Sequence, residues 1–367
     1  MTEAPLPWHI RLMRFALPLC LSLIWLSACG SKTTTSTESP APETPKPAPV
    51  AAPVEEKLVF PARFPHVDFE KTPEAERKVF VFFTDDGEHG WMQHENTAGA
   101  VLFAKRLAAA VPGSESIVLR DTFPDEAMLA KASSVILFCS GTARHPLNEP
   151  AKRQSLEAAM KANKGLVCIH WALEAGNAEG SEFLKQYLGG YFEVHYSVNP
   201  MWKADFKEIP SHEVTRGVSP FSIYDEFYFN MRFPEVAGKR EDLLLAIPPK
   251  RVVVLPEDGP RSNNPTVRAS EGKPHVTAWA FTRPDGGRSF GFTGGHFHWD
   301  WKHDDHRRVL LNAIAWSGGV EIPEGGLPDS TPSDDELMLH QDSPPQDGWK
   351  PMPGQPPMGA TANKSDA

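Results

Sequence analysis

Lys78-Val79-Phe80-Val81-Phe82-Phe83 runs apolar without alternation and stops at Thr84-Asp85-Asp86-Gly87. A strand with no polar face is buried on both sides, the mark of a parallel sheet covered by helices. Downstream, 97–111 has the helical spacing of apolar residues, 116–119 reads as a second strand, and Ser134-Val135-Ile136-Leu137-Phe138-Cys139 as a third. Residues 149–162 give another amphipathic helix and Gly165-Leu166-Val167-Cys168-Ile169 a fourth strand. The order is β-α-β-β or β-α-β-α-β, and either predicts an open α/β sheet.

Ligands of such sheets sit beyond the carboxyl ends of the strands. His89 and His94 follow the first strand, His145 follows the third in Ser140-Gly141-Thr142-Ala143-Arg144-His145-Pro146, and His170 ends the fourth. Topology alone gathers these imidazoles at one rim. The second half reads differently, with strand-like pieces at 202–206, 243–247, 275–281 and 289–293. The turn Pro284-Asp285-Gly286-Gly287 makes a hairpin of the last two. Residues 251–273 are proline-rich loop, and 305–316 close the domain as a helix.

Both ends of the chain are of another kind. Arg11 and Arg14 precede an apolar run, 15–28, which ends in Leu26-Ser27-Ala28-Cys29-Gly30, the pattern of a bacterial lipoprotein signal. The run is too short for a membrane span, so 1–28 is expected to be removed and Cys29 to carry lipid. Segment 29–58 is rich in Ser, Thr, Pro and Ala and reads as a tether running at roughly 3.1 Å per residue where proline dominates. One folded domain, 76–323, follows, and 324–367, again proline, glycine and acid, is expected to be a disordered tail. The protein is thus expected to be exported and held on the cell-envelope membrane, with its folded domain in the periplasm.

The formal net charge of the 367-residue chain is −10. The signal carries Arg11 and Arg14 against Glu3, so its removal leaves −11. No run of lysine or arginine marks a phosphate-binding face, which excludes nucleic acid as the expected partner. Cys139 and Cys168 lie in apolar runs, outside any C-x-x-C or zinc-ribbon spacing, and are expected as buried free thiols. No G-x-S-x-G elbow, P-loop, H-E-x-x-H or dinucleotide fingerprint stands in the right context.

Chemistry concentrates in Gly294-Gly295-His296-Phe297-His298-Trp299-Asp300-Trp301, where extended backbone puts His296 and His298 on one face and the glycines let a ligand come close. Further candidates are His170, His195, His212 and Glu226 of Tyr224-Asp225-Glu226-Phe227-Tyr228. Imidazole with carboxylate suits zinc or another divalent metal, and equally acid and base work near neutral pH. Each has a structural alternative: His212 as a turn cap, His195 as an exposed side chain, Asp225-Glu226 as a solvated pair.

In order and spacing, Gly165-Leu166-Val167-Cys168-Ile169-His170, Gly189-Gly190-Tyr191-Phe192 with His195, His212-Glu213-Val214-Thr215-Arg216-Gly217, Asp225-Glu226-Phe227-Tyr228 and Gly294-Gly295-His296 resemble the ThuA-like (trehalose utilisation) family over about 78–319. The resemblance implies a flavodoxin-like fold related to class I glutamine amidotransferases and a link to sugar catabolism, often of 3-keto-glucosides. Where the related amidotransferases carry a cysteine after the fourth strand, this chain has His170, and Cys168 lies inside the strand. Glutamine hydrolysis through a cysteine is therefore not expected. The chain also has Glu213 after His212, where the family usually has proline.

The expectation is an enzyme acting as lyase, hydrolase or isomerase on a glycoside or 3-keto-sugar, with His170, His195, Glu226 and His296 at the reacting centre. His94, His145, Trp171, His298 and Trp299 are expected to touch substrate. One divalent metal, zinc, manganese or iron, is the cofactor these groups suit, on His170, His195 and His296. The alternative is a non-catalytic carbohydrate-binding lipoprotein, with Trp171, Trp299 and Trp301 as a stacking platform. A flavin or redox protein rests on fold analogy alone.

Overall fold

A computed structural model describes residues 57–359. Cys29, the signal-like segment and most of the tether therefore lie outside the described residues. Among those described, no helix is long and apolar enough to cross a membrane.

The elements follow in the order β1 (Ala62–Pro65), β2 (Lys78–Thr84), α1 (Asn96–Ala110), β3 (Ser114–Arg120), α2 (Glu126–Lys131), β4 (Ser134–Phe138), α3 (Pro150–Lys161), β5 (Gly165–Ile169) and α4 (Ala178–Leu188). Then come β6 (Met201–Phe206), β7 (Phe221–Glu226), β8 (Lys239–Ala246), the short α5 (Lys250–Val253) and α6 (Pro265–Arg268), β9 (His275–Thr282), β10 (Arg288–Phe292), α7 (Asp304–Ser317) and α8 (Asp334–Leu337). The presence of α2 selects β-α-β-α-β for the first half. It was invisible as a pattern because six residues are under two turns.

Eight strands form one sheet in the order β1-β3-β2-β4-β5-β10-β9-β8. The pairs β3-β2, β2-β4, β4-β5 and β5-β10 are parallel. Antiparallel strands close both edges, β1 on β3 and β9-β8 beyond β10. This is the flavodoxin-like architecture with an antiparallel extension in the second half. Strands β6 and β7 make a separate antiparallel pair.

Alternation along the buried strands divides the core into two layers. Phe80, Phe82, Ile136, Phe138, Val167 and Ile169 pack with residues of α1 and α7, whereas Val81, Phe83, Val135, Leu137, Leu166 and Cys168 pack with residues of α2, α3 and α4. Cys139 and Cys168 are buried free thiols. The hairpin at 283–287 forms as its residues dictate: the Arg283 amide donates to the Gly287 carbonyl at 2.8 Å and Asp285 Oδ1 accepts from the Gly287 amide at 2.9 Å.

Two boundaries differ from the sequence reading. The folded body begins before residue 76, because β1 pairs with β3. The tail is not loose over 324–359. Its acids meet cations on the domain: Asp329 sits 2.6 Å from Arg307 Nε and 3.1 Å from Arg106 Nε, Glu336 2.7 Å from Arg106 Nη1, and Asp342 2.6 Å from Arg120 Nη1. Asp334 pairs with Lys302. Leu327 and Leu337 enter the core, and Trp349 packs against Trp299 with ring centroids 5.1 Å apart. Composition alone suggested disorder because these partners are far away in sequence.

The side chains of Arg307 and Asp329 are 0 % and 1 % exposed, so removing one leaves an unpaired buried charge. Asp329→Ala is expected to cost about 3–5 kcal/mol of unfolding free energy, measured by urea denaturation. A change below about 1 kcal/mol would mean the network is not a stabilising anchor.

Candidate metal centre at the carboxyl rim

Four segments distant in sequence deliver the site. Strand β2 leads into the loop 85–95, which is tied down by Asp85: its carboxylate accepts from the Ser140 amide at 2.9 Å, beyond β4, and from Asn96 Nδ2 at 2.8 Å, in α1. That loop presents His94, whose amide donates to the His296 carbonyl at 2.8 Å. Strand β5 ends at Ile169 and is followed by His170, which takes a left-handed φ of 53° and so turns out of the strand. Strand β7 ends at Glu226. Strand β10 leads through Gly294-Gly295 to His296.

Gly295 has φ +106°, a conformation a side chain resists. The turn it makes is held by Asp225, whose carboxylate accepts from the Gly295 amide at 2.6 Å and the Phe297 amide at 3.3 Å. Asp225-Glu226 is therefore not a solvated pair: Asp225 is wholly buried and Glu226 9 % exposed.

His94, His170, His296 and Glu226 each offer a ligand atom, all within 4.8 Å of one another. His94 Nε2 lies 2.8 Å from His296 Nδ1 and 3.3 Å from His170 Nε2. Glu226 Oε2 is 3.3 Å from His170 Nε2 and 3.4 Å from His296 Nδ1. Donors on a tetrahedral zinc ion lie about 3.3 Å apart; the His94–His170 and Glu226 separations fall near that, while the His94–His296 pair, at 2.8 Å, is at hydrogen-bond length.

The outer hydrogen bonds decide which nitrogens face inward. His170 Nδ1 donates to the Thr293 carbonyl at 2.7 Å, since a carbonyl can only accept. His296 Nε2 meets Gln93 Oε1 at 3.2 Å. In the neutral rings these outer bonds leave the inward nitrogens of His170 and His296 as lone pairs, while His94, whose Nδ1 has no hydrogen-bond partner, can carry its proton on Nε2 and donate to His296 Nδ1; the same four groups are of the types that hold a divalent cation. Burial, then the neighbouring histidines, pushes the His94 imidazole well below the usual range, which keeps it a neutral donor. Burial raises the Glu226 carboxyl, but the His170 and His296 imidazoles beside it outweigh this and bring it down to about 2, an anion at neutral pH.

Two aromatic groups border the cluster. Tyr228 Oη is 3.2 Å from His170 Nε2, and burial followed by the Glu226 charge pushes its hydroxyl well above the ordinary range, so it stays protonated. The exposed His89 stacks on His94 with centroids 3.7 Å apart and its Nδ1 is 2.7 Å from the Gly87 carbonyl. In the sequence Tyr228 is marked only by its place in Tyr224-Asp225-Glu226-Phe227-Tyr228, and Asn199, 3.3 Å from Glu226 Oε1, is not marked at all.

The other expected residues lie elsewhere. His195 is solvent-exposed with φ 66° and stands outside the four-residue cluster; its place as ligand is taken by His94. His298 does not join His296 in the cluster, because a 3-10 turn begins at His298 and takes it into the core. It is buried against Arg106 and His340 instead. Trp299 and Trp301 are fully buried, with Trp299 Nε1 donating to the Pro356 carbonyl at 2.6 Å, so neither offers a sugar-stacking face. Trp171 remains partly exposed beside His94, its Nε1 donating to Glu174 at 3.2 Å. His212 caps a turn by accepting from the Val214 amide at 3.1 Å.

His145 is also structural: Nδ1 accepts from the Leu147 amide at 3.1 Å and Nε2 donates to the Ala172 carbonyl at 3.0 Å. It fixes the turn that follows His170 from behind.

A buried centre of three imidazoles and one carboxylate, on the carboxyl rim of an open α/β sheet, defines the class of protein. The chain belongs to the ThuA family, described as trehalose utilisation, which matches residues 78–317. Among solved structures it is similar to a ThuA-like protein from Bacteroides uniformis ATCC 8492, with 19% identity over 67% of this chain and 92% of that one at a TM-score of 0.48. A ThuA-like protein from Parabacteroides merdae ATCC 43184 shares 14% identity over 71% of this chain and 99% of that one, TM-score 0.44. A glutamine amido transferase from Methylobacillus flagellatus shares 12% over 60% and 69%, TM-score 0.30. No curated protein matches the chain.

Burial lowers the His145 imidazole to about 4. A base held neutral by the fold is stabilising above its unfolded value and loses that contribution as protons are forced on, so stability should fall from pH 6.5 to 4 by up to about 3 kcal/mol from this group. In His145→Asn, which keeps an acceptor for Leu147, that part of the pH profile should flatten; an unchanged slope in urea unfolding would assign the loss to other groups.

Proposed function

We propose that this protein is a metal-dependent enzyme of carbohydrate catabolism, acting by elimination, hydrolysis or isomerisation on a glycoside or 3-keto-sugar. The coarse part, a carbohydrate-related role, follows from family membership. The finer part is carried by one observation, the convergence of one potential ligand atom each from His94, His170, His296 and Glu226. The ligand types suit zinc, manganese or iron.

His94, His170, His296 and Glu226 would hold the divalent cation, and the chemistry it would supply there is Lewis-acid polarisation of a carbonyl, which acidifies the adjacent C–H bond. The chain's own groups supply the rest. His89, at the exposed side with Nδ1 engaged by Gly87, presents Nε2 as a proton acceptor. Tyr228 holds a proton beside the cluster for the departing or enolic oxygen. Thr293, Gln93 and Asn199 orient the ligands.

Metal analysis of untagged protein should find about one equivalent. His170→Ala and His296→Ala should lose it together with turnover of a 3-keto-glucoside, whereas His195→Ala should change neither. His89→Ala should keep the metal and lose roughly 10²–10⁴-fold in turnover. Full turnover in His170→Ala and His296→Ala removes the cluster from the mechanism. Sugar binding by calorimetry without product would favour the non-catalytic reading instead.

The lipoprotein pattern supports placing this chemistry at the envelope membrane through Cys29, with the domain in the periplasm. Cys29→Ala should move the protein from the membrane fraction to the soluble fraction; retention there would reject the lipid anchor.

A further inference from the structure

Residues 324–359 lie outside the stretch that matches the family, 78–317, yet they reach the loop that carries His94. This loop is conformationally costly. Glu88, Met92 and His94 all adopt left-handed φ values, 53°, 64° and 49°, which non-glycine residues hold only where the surroundings over-determine them.

Inside the body, Met92 and His94 are held by the His296 turn: the His298 amide donates to the Met92 carbonyl at 2.9 Å, and the His94 amide to the His296 carbonyl. On the outside they are held by the C-terminal segment. Gln341 Oε1 accepts from the Met92 amide at 3.3 Å, while Gln341 Nε2 donates to Met92 Sδ at 3.0 Å and to the Leu337 carbonyl at 2.6 Å. The Asp342 amide donates to Glu95 Oε2 at 2.6 Å, and Ser343 Oγ donates to the His89 carbonyl at 3.0 Å. These three consecutive residues therefore grip the loop on both sides of His94. The grip is anchored upstream by the buried Asp329–Arg307 and Asp329–Arg106 pairs.

We infer that Gln341, Asp342 and Ser343 are positioning residues for the metal centre, and that the C-terminal segment is a strap which pre-sets His94 before any cation arrives. The inference rests on the metal reading above. Preorganisation of a ligand by outer partners is worth about 10–100-fold in metal affinity, and here the outer partner comes from beyond the family domain.

The test uses the full chain, stripped with a chelator and titrated with zinc against a competing chelator, with hydrogen exchange of the Met92 and His94 amides followed in the metal-free protein. Gln341→Leu should weaken zinc binding about tenfold and speed exchange at Met92, and Gln341→Glu, which keeps an acceptor for the Met92 amide, should recover most of the affinity. Trp349→Ala, which loosens the segment away from the loop, should lower the melting temperature without that loss of affinity. Unchanged affinity and exchange in Gln341→Leu, with His94→Ala still abolishing binding, would overturn the strap while leaving the metal centre standing. Zinc binding untouched by His94→Ala would overturn the centre, and the strap with it.

Discussion

Parallel pairing of β5 with β10 is the constraint on which the site depends. The two strands are separated by more than a hundred residues of chain, yet their register sets Ile169 opposite Phe292. The next residue on each strand is then His170 and Thr293, and the Thr293 carbonyl receives His170 Nδ1. One backbone register thus chooses the imidazole's tautomer and points its other nitrogen at the cluster. A slip of one residue would present the opposite faces of β10 to the core layers and move the Gly294-Gly295 turn with it.

From that seam the remaining ligands are placed by backbone rather than by side-chain packing. Asp225 gathers the amides of the turn that carries His296, and its neighbour Glu226 enters the cluster from the same strand end. The His94 loop is stitched to the His296 turn by main-chain hydrogen bonds. Rigid outer bonds matter because they fix the orientation of each ring, and so the spacing of the four potential ligand atoms, independently of any bound ion.

The C-terminal segment shows how charge and a few apolar residues can order a chain of unpromising composition. Asp329, Asp334, Glu336 and Asp342 each find a cation on the domain, and Leu327, Leu337 and Trp349 find apolar surface. Buried as it is, the Asp329–Arg307 pair gains from low screening and from the hydrogen bonds around it, whereas exposed pairs on the same surface contribute little.

The sequence by itself determined the parallel sheet, because runs such as Phe80 to Phe83 and Leu166 to Ile169 have no polar face to show water, and it put His94, His170 and His296 at strand ends where the open sheet exposes its rim. It also carried the hairpin turn and Glu226. Only the tertiary structure decided which histidines meet. His94 and His195 are equally plain imidazoles in loops, and the difference is that one loop is stitched to the β10 turn while the other faces solvent. His298 and Trp299 left the site because the chain enters a buried 3-10 turn at His298 instead of continuing the alternation that strand periodicity implies. The tail's order was likewise undecidable locally, since its partners, Arg106, Arg120, Lys302 and Arg307, are scattered through the chain and become one surface only after the sheet has folded. Local pattern encodes burial and backbone conformation, whereas convergence depends on register and turn geometry across long separations, which no window of sequence contains.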